Sequence, residues 1–357
     1  MKFTLQAYGL WELGQRSNQE DALFPEMGKI NADDRLFIVC DGMGGHESGE
    51  VASNLVCQTM SRSVFLQCPD ASGPFTDQNF EQALSDALSA LDLQPSDGER
   101  KMGTTLTFLK FHDQGCTIAH IGDSRVYHIR PGQGEEDTAI LFQTEDHSLM
   151  NDLIRMGEFT KEESRNFGMK NVITRALQPK MERRPKADFH HTSDIRPGDY
   201  FLLCSDGILE EMEDRDLKWI FSQQGGDDLQ KVETLKQVTV NNQDNHSAII
   251  VHVMDVEGPI PQPVSAPQSV SDTAEVDQVL EAEPVVVPVS EQPKNGFAFP
   301  AAKASLKSPA KDSSMKDAQE KQKSSTSRVK ENIITILTVL ATLEALYIFF
   351  FQRSVFF

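Results

Sequence analysis

Apolar and polar positions form two kinds of pattern along the first 256 residues. Short apolar runs rich in β-branched and aromatic residues, bounded by turn residues, predict strands. Longer stretches whose apolar residues recur three and four positions apart predict helices. We expect strands at 35–40, 104–111, 116–121, 124–130, 199–204 and 247–253, and helices at about 47–66, 78–92, 147–157 and 227–241.

The order of these elements predicts the fold class. The turn F-H-D-Q-G at 111–115 separates the second predicted strand from the third, and G-D-S-R at 122–125 separates the third from the fourth. Short turns between neighbouring strands are typical of an antiparallel meander. The helices do not alternate with the strands, so we expect an antiparallel α+β layer fold and not a βαβ series.

The pattern changes after residue 256, where the first domain, 1–256, is expected to end. Nine of the 17 prolines fall between 259 and 309, among Val, Ser, Glu and Ala without helical or strand periodicity. Such a composition predicts a disordered linker over 257–330. The linker begins acidic and ends basic, with eight Lys and Arg against three acidic residues at 303–330.

A long apolar run follows at 333–351, with a tail at 352–357. Its nineteen residues contain no Lys, Arg or Pro and one acid, Glu344. As a helix they would extend roughly 28 Å, close to the hydrocarbon thickness of a bilayer. We predict a single transmembrane helix, with a buried core helix as the alternative. The basic flank before it places the large N-terminal part in the cytoplasm.

Glu344 lies near the middle of this predicted span, where a charged side chain is costly. Pairing with a second copy or a membrane partner is one explanation. A tolerated, protonated glutamate is the other, and the sequence leaves both open.

Charge and cysteine content limit the ligands that the protein could bind and the compartment in which it folds. Residues 1–256 hold 24 Lys and Arg against 42 Asp and Glu, a net charge of −18. This part of the chain has no basic footprint for nucleic acid. The five cysteines form no C-x-x-C pair, and Cys40 and Cys204 lie in apolar runs, as core thiols do. A reduced compartment follows, in keeping with an N-terminus that lacks an apolar signal-peptide core.

Acidic residues recur where predicted strands end. Asp41 follows the strand R-L-F-I-V-C and precedes Gly42, Gly44 and Gly45. Each acidic turn alone is most often just a turn, but strand ends of a layered fold can converge on one rim. The others are Asp123 in G-D-S-R, Asp206 in S-D-G, Asp244 in D-N, and Glu20 with Asp21 in R-S-N-Q-E-D.

Carboxylates without a matching His or Cys set select hard cations such as Mg²⁺ or Mn²⁺. A phosphate-binding glycine loop is the alternative at Gly42, but G-x-G-x-x-G fails at Glu47 and no Walker lysine follows. Two such ions would lower the pKa of a bridging water and neutralise a phosphate dianion. Arg16 could hold phosphate oxygens. The spacing therefore predicts metal-dependent phosphoester chemistry without identifying the substrate.

Seven short motifs then stand in one order: R-S-N-Q-E-D, D-G-M-G-G-H, G-T-T, G-D-S-R, N-V-I-T-R-A-L, S-D-G and D-N. This set resembles the PP2C (PPM) family of metal-dependent protein serine/threonine phosphatases, in a bacterial form. The resemblance covers about residues 3–254. It implies two stacked, mainly antiparallel β-sheets flanked by helices (α-β-β-α), with the metal ions at one end.

The resemblance also implies roles for individual residues. Asp41 would bridge two core Mn²⁺ or Mg²⁺ ions, and the phosphate-binding arginine matches Arg16. Gly103 and Thr104 fall on the supporting G-T-T segment. The remaining metal ligands would be the Gly42 carbonyl, Asp206 and Asp244 for the first ion, Glu20 or Asp21 for the second, and Asp123 with Asp206 for a possible third ion.

The mechanism that the resemblance implies is direct attack of a metal-bound hydroxide on phosphorus, without a phosphoenzyme. His46 is a candidate general acid for the leaving alkoxide. The alternative is a structural histidine that caps the following helix, because Met43 occupies the position of the acid histidine in some relatives. Residues 147–170 lack a frequent His-Pro, and Gln178 replaces a common glycine, so target preference is open.

The leading hypothesis is an active phosphatase, tethered to the cell membrane, that dephosphorylates substrates of a Ser/Thr kinase. One alternative is a catalytically silent phosphatase-like module that binds phosphoproteins. Another is an adaptor whose basic segment 303–330 binds anionic lipid. The physiological substrate, the preference for Mn²⁺ or Mg²⁺ and the oligomeric state do not follow from the sequence.

Overall fold

The computed structural model describes residues 1–44, 48–94, 102–160 and 172–258. All of them lie within Met1–Val270, the first of two units into which the chain divides. The predictions for His46, for most of the linker and for the apolar run 333–351 therefore concern residues outside the described ranges. Within these ranges, no helix has the length and apolar character needed to cross a membrane.

The described residues form two antiparallel sheets. One sheet has the order β1-β11-β10-β7-β8, and the other has the order β2-β3-β5-β6-β9, with β4 paired to β3. The strands are β1 (Lys2–Glu12), β2 (Asp21–Phe24), β3 (Leu36–Met43), β4 (Gly103–Thr104), β5 (Leu106–His112), β6 (Gly115–Ile121), β7 (Arg125–Arg130), β8 (Ala139–Gln143), β9 (Asp188–Thr192), β10 (Tyr200–Cys204) and β11 (His246–Glu257).

Helices cover the outer faces of both sheets. The helices are α1 (Ser48–Gln67), α2 (Asp77–Asp92), α3 (Leu149–Arg155), α4 (Asp214–Phe221) and α5 (Asp228–Thr239). One apolar cluster joins α1 and α2 to the sheet that contains β3. A second cluster fills the space between the sheets, and a third joins α4 and α5 to the sheet that contains β10. The layers are therefore α-β-β-α, and the predicted α+β fold class is confirmed.

Strand β3 shows how the sequence produces these layers. Successive side chains of a strand point to opposite faces of the sheet. Leu36, Ile38 and Cys40 accordingly belong to the helix-facing cluster, whereas Phe37 and Val39 belong to the cluster between the sheets. Both faces of this strand are buried, which explains its unbroken apolar run.

The predicted meander is wrong at its second turn. Strands β5 and β6 pair as a hairpin, but β6 and β7 belong to different sheets. The chain crosses between the sheets at G-D-S-R. Gly122 adopts a φ of 110° there, and a Cβ on it would lie 2.6 Å from Thr105 Cγ2. A glycine at this crossing therefore positions Asp123 between the ends of the two sheets.

Candidate active site

The predicted carboxylates lie at one end of the sandwich, on the rim where several strands begin or end. Asp41 lies on β3, directly opposite Asp21 of β2 in the strand register. Asp206 starts a short turn directly after Ser205, two residues beyond the end of β10. Asp123 follows β6, and Asp244 precedes β11 by two residues. Segments far apart in the chain thus converge, and we call this acidic group the rim.

The backbone of Asp41 is held by the predicted G-T-T segment. The Thr104 hydroxyl and the Thr105 N–H both donate to the Asp41 carbonyl at 2.9 Å. The Asp41 N–H donates to Thr105 Oγ1 at 2.9 Å. Thr105 Oγ1 in turn contacts Ser124 Oγ at 2.7 Å, which links Asp41 to the G-D-S-R crossing.

The residue after Asp41 lies where two backbones nearly touch. A Cβ on Gly42 would come within 2.3 Å of the Gly49 carbonyl oxygen and 2.4 Å of the Glu20 carbonyl oxygen. The Gly42 N–H donates to that Glu20 carbonyl at 3.1 Å. Only glycine therefore fits beside Asp41. Gly103, the other predicted glycine, lies on β4 and pairs with Met43 of β3.

Glu20 and Asp21 have different surroundings, which separates two residues that the sequence left equivalent. Asp21 is 2% exposed and its Oδ2 accepts a hydrogen bond from the Ser205 hydroxyl at 2.8 Å. Glu20 is half-buried. Burial raises the pKa of its carboxyl, with opposing contributions from Arg16, which lowers it, and Asp244, which raises it. Glu20 therefore belongs to the outer surface of the rim, and Asp21 lies beneath it.

Asp123 is buried, and its Oδ1 has no hydrogen-bond partner among the described residues. Burial, followed by the charges of Asp206 and Asp146, raises its pKa to about 7. Asp146 was not predicted as part of this region. It accepts two hydrogen bonds from Arg125, at 2.6 and 2.7 Å. The arginine of G-D-S-R thus neutralises Asp146 and not Asp123.

Asp244 forms the main ion pair of the rim, with the side chain of Arg16. Its Oδ2 accepts from Arg16 Nη2 at 2.6 Å, and its Oδ1 accepts from the N–H of Asn245 at 2.8 Å. Glu210 accepts from the backbone N–H groups of Gln243 and Asp244, at 2.7 and 3.0 Å. Glu210 therefore fixes the loop that carries Asp244, a role that sequence reasoning missed.

Asn245 is a second missed residue. Its side-chain oxygen accepts from the Glu20 N–H at 2.8 Å, and its amide nitrogen donates to the carbonyls of Leu13 and Asn18, at 2.8 and 3.0 Å. Asn245 thus joins the loop of Arg16 and Glu20 to the loop of Asp244. The D-N motif includes this residue, but nothing in the sequence indicated that its asparagine links two loops.

The carboxylates raise one another's pKa values. The pKa of Asp41 lies well above its ordinary value because of burial and the charges of Asp21, Asp206 and Asp123. Burial and then Asp244 raise the pKa of Asp206. Burial raises the pKa of Asp21 to about 7, even though Ser205 donates to it. Like charges held together in this way cost free energy unless a proton or a cation neutralises them.

The donor set fits a hard divalent cation. The converging side chains offer only oxygen atoms, and Asp21 Oδ1 and Asp123 Oδ1 are buried without a partner among the described residues. Such oxygens satisfy Mg²⁺ or Mn²⁺ and do not favour zinc. A nitrogen-containing group of possible metal ligands, His120, His147 and Asp188, lies next to the rim and contains none of the predicted ligands.

Comparison with known proteins agrees with this arrangement. The profile of the protein phosphatase 2C family matches residues 12–242. The phosphatase PhpP of Streptococcus pneumoniae is 32% identical over 210 residues, which cover 58% of this chain and 81% of PhpP. The chain therefore belongs to the protein phosphatase 2C family, and the resemblance inferred from its motifs is confirmed.

Solved structures show the same fold. The serine/threonine phosphatase PstP of Mycobacterium tuberculosis superposes with a TM-score of 0.56 at 27% identity, over 71% of this chain and all of the other. The PstP catalytic domain in complex with two manganese ions gives a TM-score of 0.56 at 28% identity, over the same shares. The protein is an enzyme, a serine/threonine protein phosphatase, and a metal-dependent activity fits its site.

Proposed function

We propose that the protein hydrolyses phosphoserine and phosphothreonine in other proteins by direct attack of water at phosphorus, with divalent cations held at the rim. The observation that carries the proposal is the convergence of buried and half-buried carboxylates that offer only oxygen ligands and whose pKa values are raised by burial and by one another's charge. Substrate phosphate alone would be repelled by this surface, so cations belong to the functional site.

We propose for this chain the ligand assignment that the family resemblance implies. Asp41 lies at the centre and would contact two ions, with the Gly42 carbonyl beside it. The first ion would also use Asp206 and Asp244. Glu20 would serve the second ion from the outer surface, with Asp21 supporting it from below. Asp123 and Asp206 would hold a third ion. Bound divalent cations supply a nucleophilic water near neutral pH and neutralise the phosphate dianion.

Arg16 is suited to binding the phosphate. Its side chain is 55% exposed, and its guanidinium donates to Asp244 at the edge of the rim. A guanidinium can hold two phosphate oxygens at once through charge-assisted hydrogen bonds. Rotation about its side-chain bonds would let it exchange Asp244 for a substrate phosphate once Asp244 binds a cation.

Direct attack by water is supported by the state of the thiols. All five cysteines are free and buried. Burial raises the pKa of Cys40, the thiol next to Asp41, well above its ordinary value. A protonated, buried thiol is a poor nucleophile, so none of the cysteines is suited to forming a phosphoenzyme. His46 remains our candidate for protonating the leaving alkoxide.

We propose in addition that residues 333–351 anchor the enzyme in the cell membrane, with the catalytic domain in the cytoplasm. The support is the sequence: nineteen apolar residues preceded by the basic segment 303–330. Tethering raises the effective concentration of the enzyme near membrane-bound substrates of a Ser/Thr kinase. Deleting 333–351 should move the protein from the membrane fraction to the soluble fraction of lysed cells.

The test of catalysis is phosphate release from a phosphothreonine peptide by the full chain, titrated with Mn²⁺ and with Mg²⁺. Asp41→Ala and Asp206→Ala should abolish turnover, whereas Asp255→Ala, an exposed carboxylate of β11, should not alter it. A folded, metal-loaded protein that binds the phosphopeptide without turnover would instead support the silent binding module.

A further inference from the structure

His147 contacts the turn that carries Asp123 on both of its sides. Its backbone N–H donates to the Gly122 carbonyl at 2.9 Å, and its ring Nδ1 accepts from the Gly122 N–H at 3.0 Å. Gly122 has a φ of 110° and has left the ladder of β6. Within the described residues, one histidine thus satisfies both backbone groups of the residue that precedes Asp123.

The hydrogen bonds of His147 determine its tautomer. A backbone N–H only donates, so Nδ1 is the acceptor and the proton of the neutral ring is on Nε2. Nε2 therefore donates to Asp188 Oδ2, at 3.2 Å. Asp188 Oδ1 accepts from Arg175 Nη1 at 2.8 Å. The three side chains form a relay from an exposed ion pair to a buried turn.

A second histidine holds the ring of the first. His120 stacks on His147 with ring centroids 4.5 Å apart and an interplanar angle of 14°. His120 Nε2 donates to the Glu145 carbonyl at 2.9 Å. His120 and Asp188 are also paired in the register of β6 and β9. The imidazole of His147 is therefore fixed by stacking as well as by hydrogen bonds.

The same side chains have the composition of a transition-metal site, since atoms of His120, His147 and Asp188 lie within 4.8 Å of one another. The hydrogen bonds argue for another role. His147 has no free nitrogen, and Arg175 Nη1 lies 3.1 Å from its Nε2. The guanidinium cation of Arg175 therefore already lies beside both the ring and the Asp188 carboxylate.

The segment that contains Arg175 connects two parts of the rim. The Thr174 N–H donates to the His147 carbonyl at 2.8 Å. Three residues later, Leu177 exchanges backbone hydrogen bonds with Thr104, at 2.8 and 3.0 Å. Thr104 holds the carbonyl of Asp41. Residues 172–177 are therefore tied to the turn of Asp123 at one end and to the support of Asp41 at the other.

We propose that His147 is a positioning residue, aligned by Asp188 and Arg175, that holds the Gly122–Asp123 turn in the geometry for cation binding at the rim. The proposal rests on the proposed function, because it assigns Asp123 to a cation. Residues that orient metal ligands without touching the metal are worth about 10- to 100-fold in affinity or activity.

The test compares four variants of the full chain. His147→Leu removes both ring hydrogen bonds, whereas His147→Asn keeps a side-chain oxygen near the position of Nδ1. Asp188→Asn keeps the shape of the relay and removes its charge. The control is His128→Leu, because His128 is also 2% exposed and donates to a buried carboxylate, Asp199, at 3.0 Å, but at the opposite end of the sandwich.

Two measurements are made on each variant. Hydrogen exchange of the peptide containing Gly122, without metal, should be about fivefold faster in His147→Leu, the effect of one lost hydrogen bond. The Mn²⁺ dissociation constant from calorimetry, and the Mn²⁺ concentration for half-maximal activity, should both rise about 10-fold or more. His147→Asn should recover part of both effects, and Asp188→Asn should show a smaller rise.

The outcomes separate the two proposals. If folded His147→Leu and Asp188→Asn show the hydrogen-exchange rate and the Mn²⁺ affinity of the wild-type protein, the positioning role is overturned. An equal loss of Mn²⁺ affinity in His128→Leu would also overturn it, since general destabilisation would then explain the effect. If the wild-type chain binds Mn²⁺ but releases no phosphate, the proposed function fails, and the exchange and calorimetry still decide the role of His147. If His147→Leu does not fold, His147→Asn and Asp188→Asn carry the same test.

Discussion

At one end of β7 and β10 a carboxylate is paired with basic side chains, whereas at the other end carboxylates face one another. Where β10 starts, Asp199 is 1% exposed and accepts from His128 at 3.0 Å and twice from Arg130 at 2.8 Å. Burial alone would raise its pKa, but these hydrogen bonds lower it below its ordinary value. Where β10 ends, Asp206 faces other carboxylates, and burial with Asp244 raises its pKa.

The difference indicates what each end is for. A buried carboxylate with its own arginine and histidine is a structural ion pair that is complete without a ligand. Several carboxylates that raise one another's pKa values carry negative charge that no basic side chain balances, and a divalent cation would neutralise it. The fold thus keeps unmatched negative charge at the rim and matches it at the opposite end.

The largest effect is expected at the centre of the rim. Asp41→Asn keeps the shape of the side chain and removes the charge that two cations would share. We expect kcat to fall by about 1,000-fold or more, equivalent to about 4 kcal/mol of transition-state stabilisation. Steady-state phosphate release at saturating Mn²⁺ measures this. Activity within tenfold of wild type would mean that the rim is not the catalytic centre.

The second effect breaks the matched end. Asp199→Ala leaves His128 and Arg130 without their carboxylate, and we expect the free energy of unfolding to fall by about 3 kcal/mol. The kcat of the folded enzyme should stay within about twofold, less than 0.5 kcal/mol, because this end is remote from the rim. Urea unfolding and phosphate release on the same preparation test both statements. A loss below about 1 kcal/mol would contradict the structural role of the pair.

The fold was predicted best where strands are buried on both faces. Strands such as β3 and β10 are continuous apolar runs, and their positions were predicted to within a few residues. Strand β8 is only partly buried along its length, and β9 reads D-F-H-H-T, so neither shows a strand pattern. Burial of these strands depends on the neighbouring sheet and is not encoded locally.

The carboxylates of the site were predicted from residue types at strand ends, and the supporting G-T-T segment was predicted from the family resemblance, but the roles of Asp146, Glu210 and Asn245 were not predicted. Asp41, Asp123 and Asp206 were found because an acid follows each strand. The partner of Asp146, Arg125, is 21 residues away at the start of β7, and Glu20, a partner of Asn245, is 225 residues away, so only the folded chain brings them together. The strand register opposite Asp41 separated Asp21 from Glu20.

The third prediction uses pH to reveal the unmatched charge. The pKa of Asp21 is about 7 in the folded protein and about 4 in an unfolded chain. The folded state therefore binds the proton more tightly, and the free energy of unfolding decreases as pH rises from about 4 to about 7. Asp21→Asn, without metal, should thus be more stable than wild type by up to about 4 kcal/mol at pH 7.5.

The advantage of Asp21→Asn should vanish below about pH 3, where the wild-type carboxyl is protonated in both states. Urea unfolding of both proteins in chelator, at several pH values, gives the comparison. Asp255→Asn on the exposed part of β11 is the control. A gain that does not change with pH would show that packing, and not charge, is responsible.

The smallest effect concerns exposed charge at the matched end and decides whether matching or burial sets the energy. Arg196 Nε donates to Asp194 Oδ1 at 3.1 Å, and the two side chains are 50% and 52% exposed. Water screens such a pair, so Arg196→Ala should cost less than about 0.5 kcal/mol. Its backbone N–H, which donates to Asp199 at 2.9 Å, is kept.

The comparison is Arg130→Ala, which leaves Asp199 without its arginine and should lower the free energy of unfolding several times more. Because salt screens exposed charges, 1 M salt should erase only the Arg196 effect. An equal loss of unfolding free energy in the two variants would show that burial does not distinguish these ion pairs. The two ends of the sandwich would then differ only in how many basic side chains pair with their carboxylates.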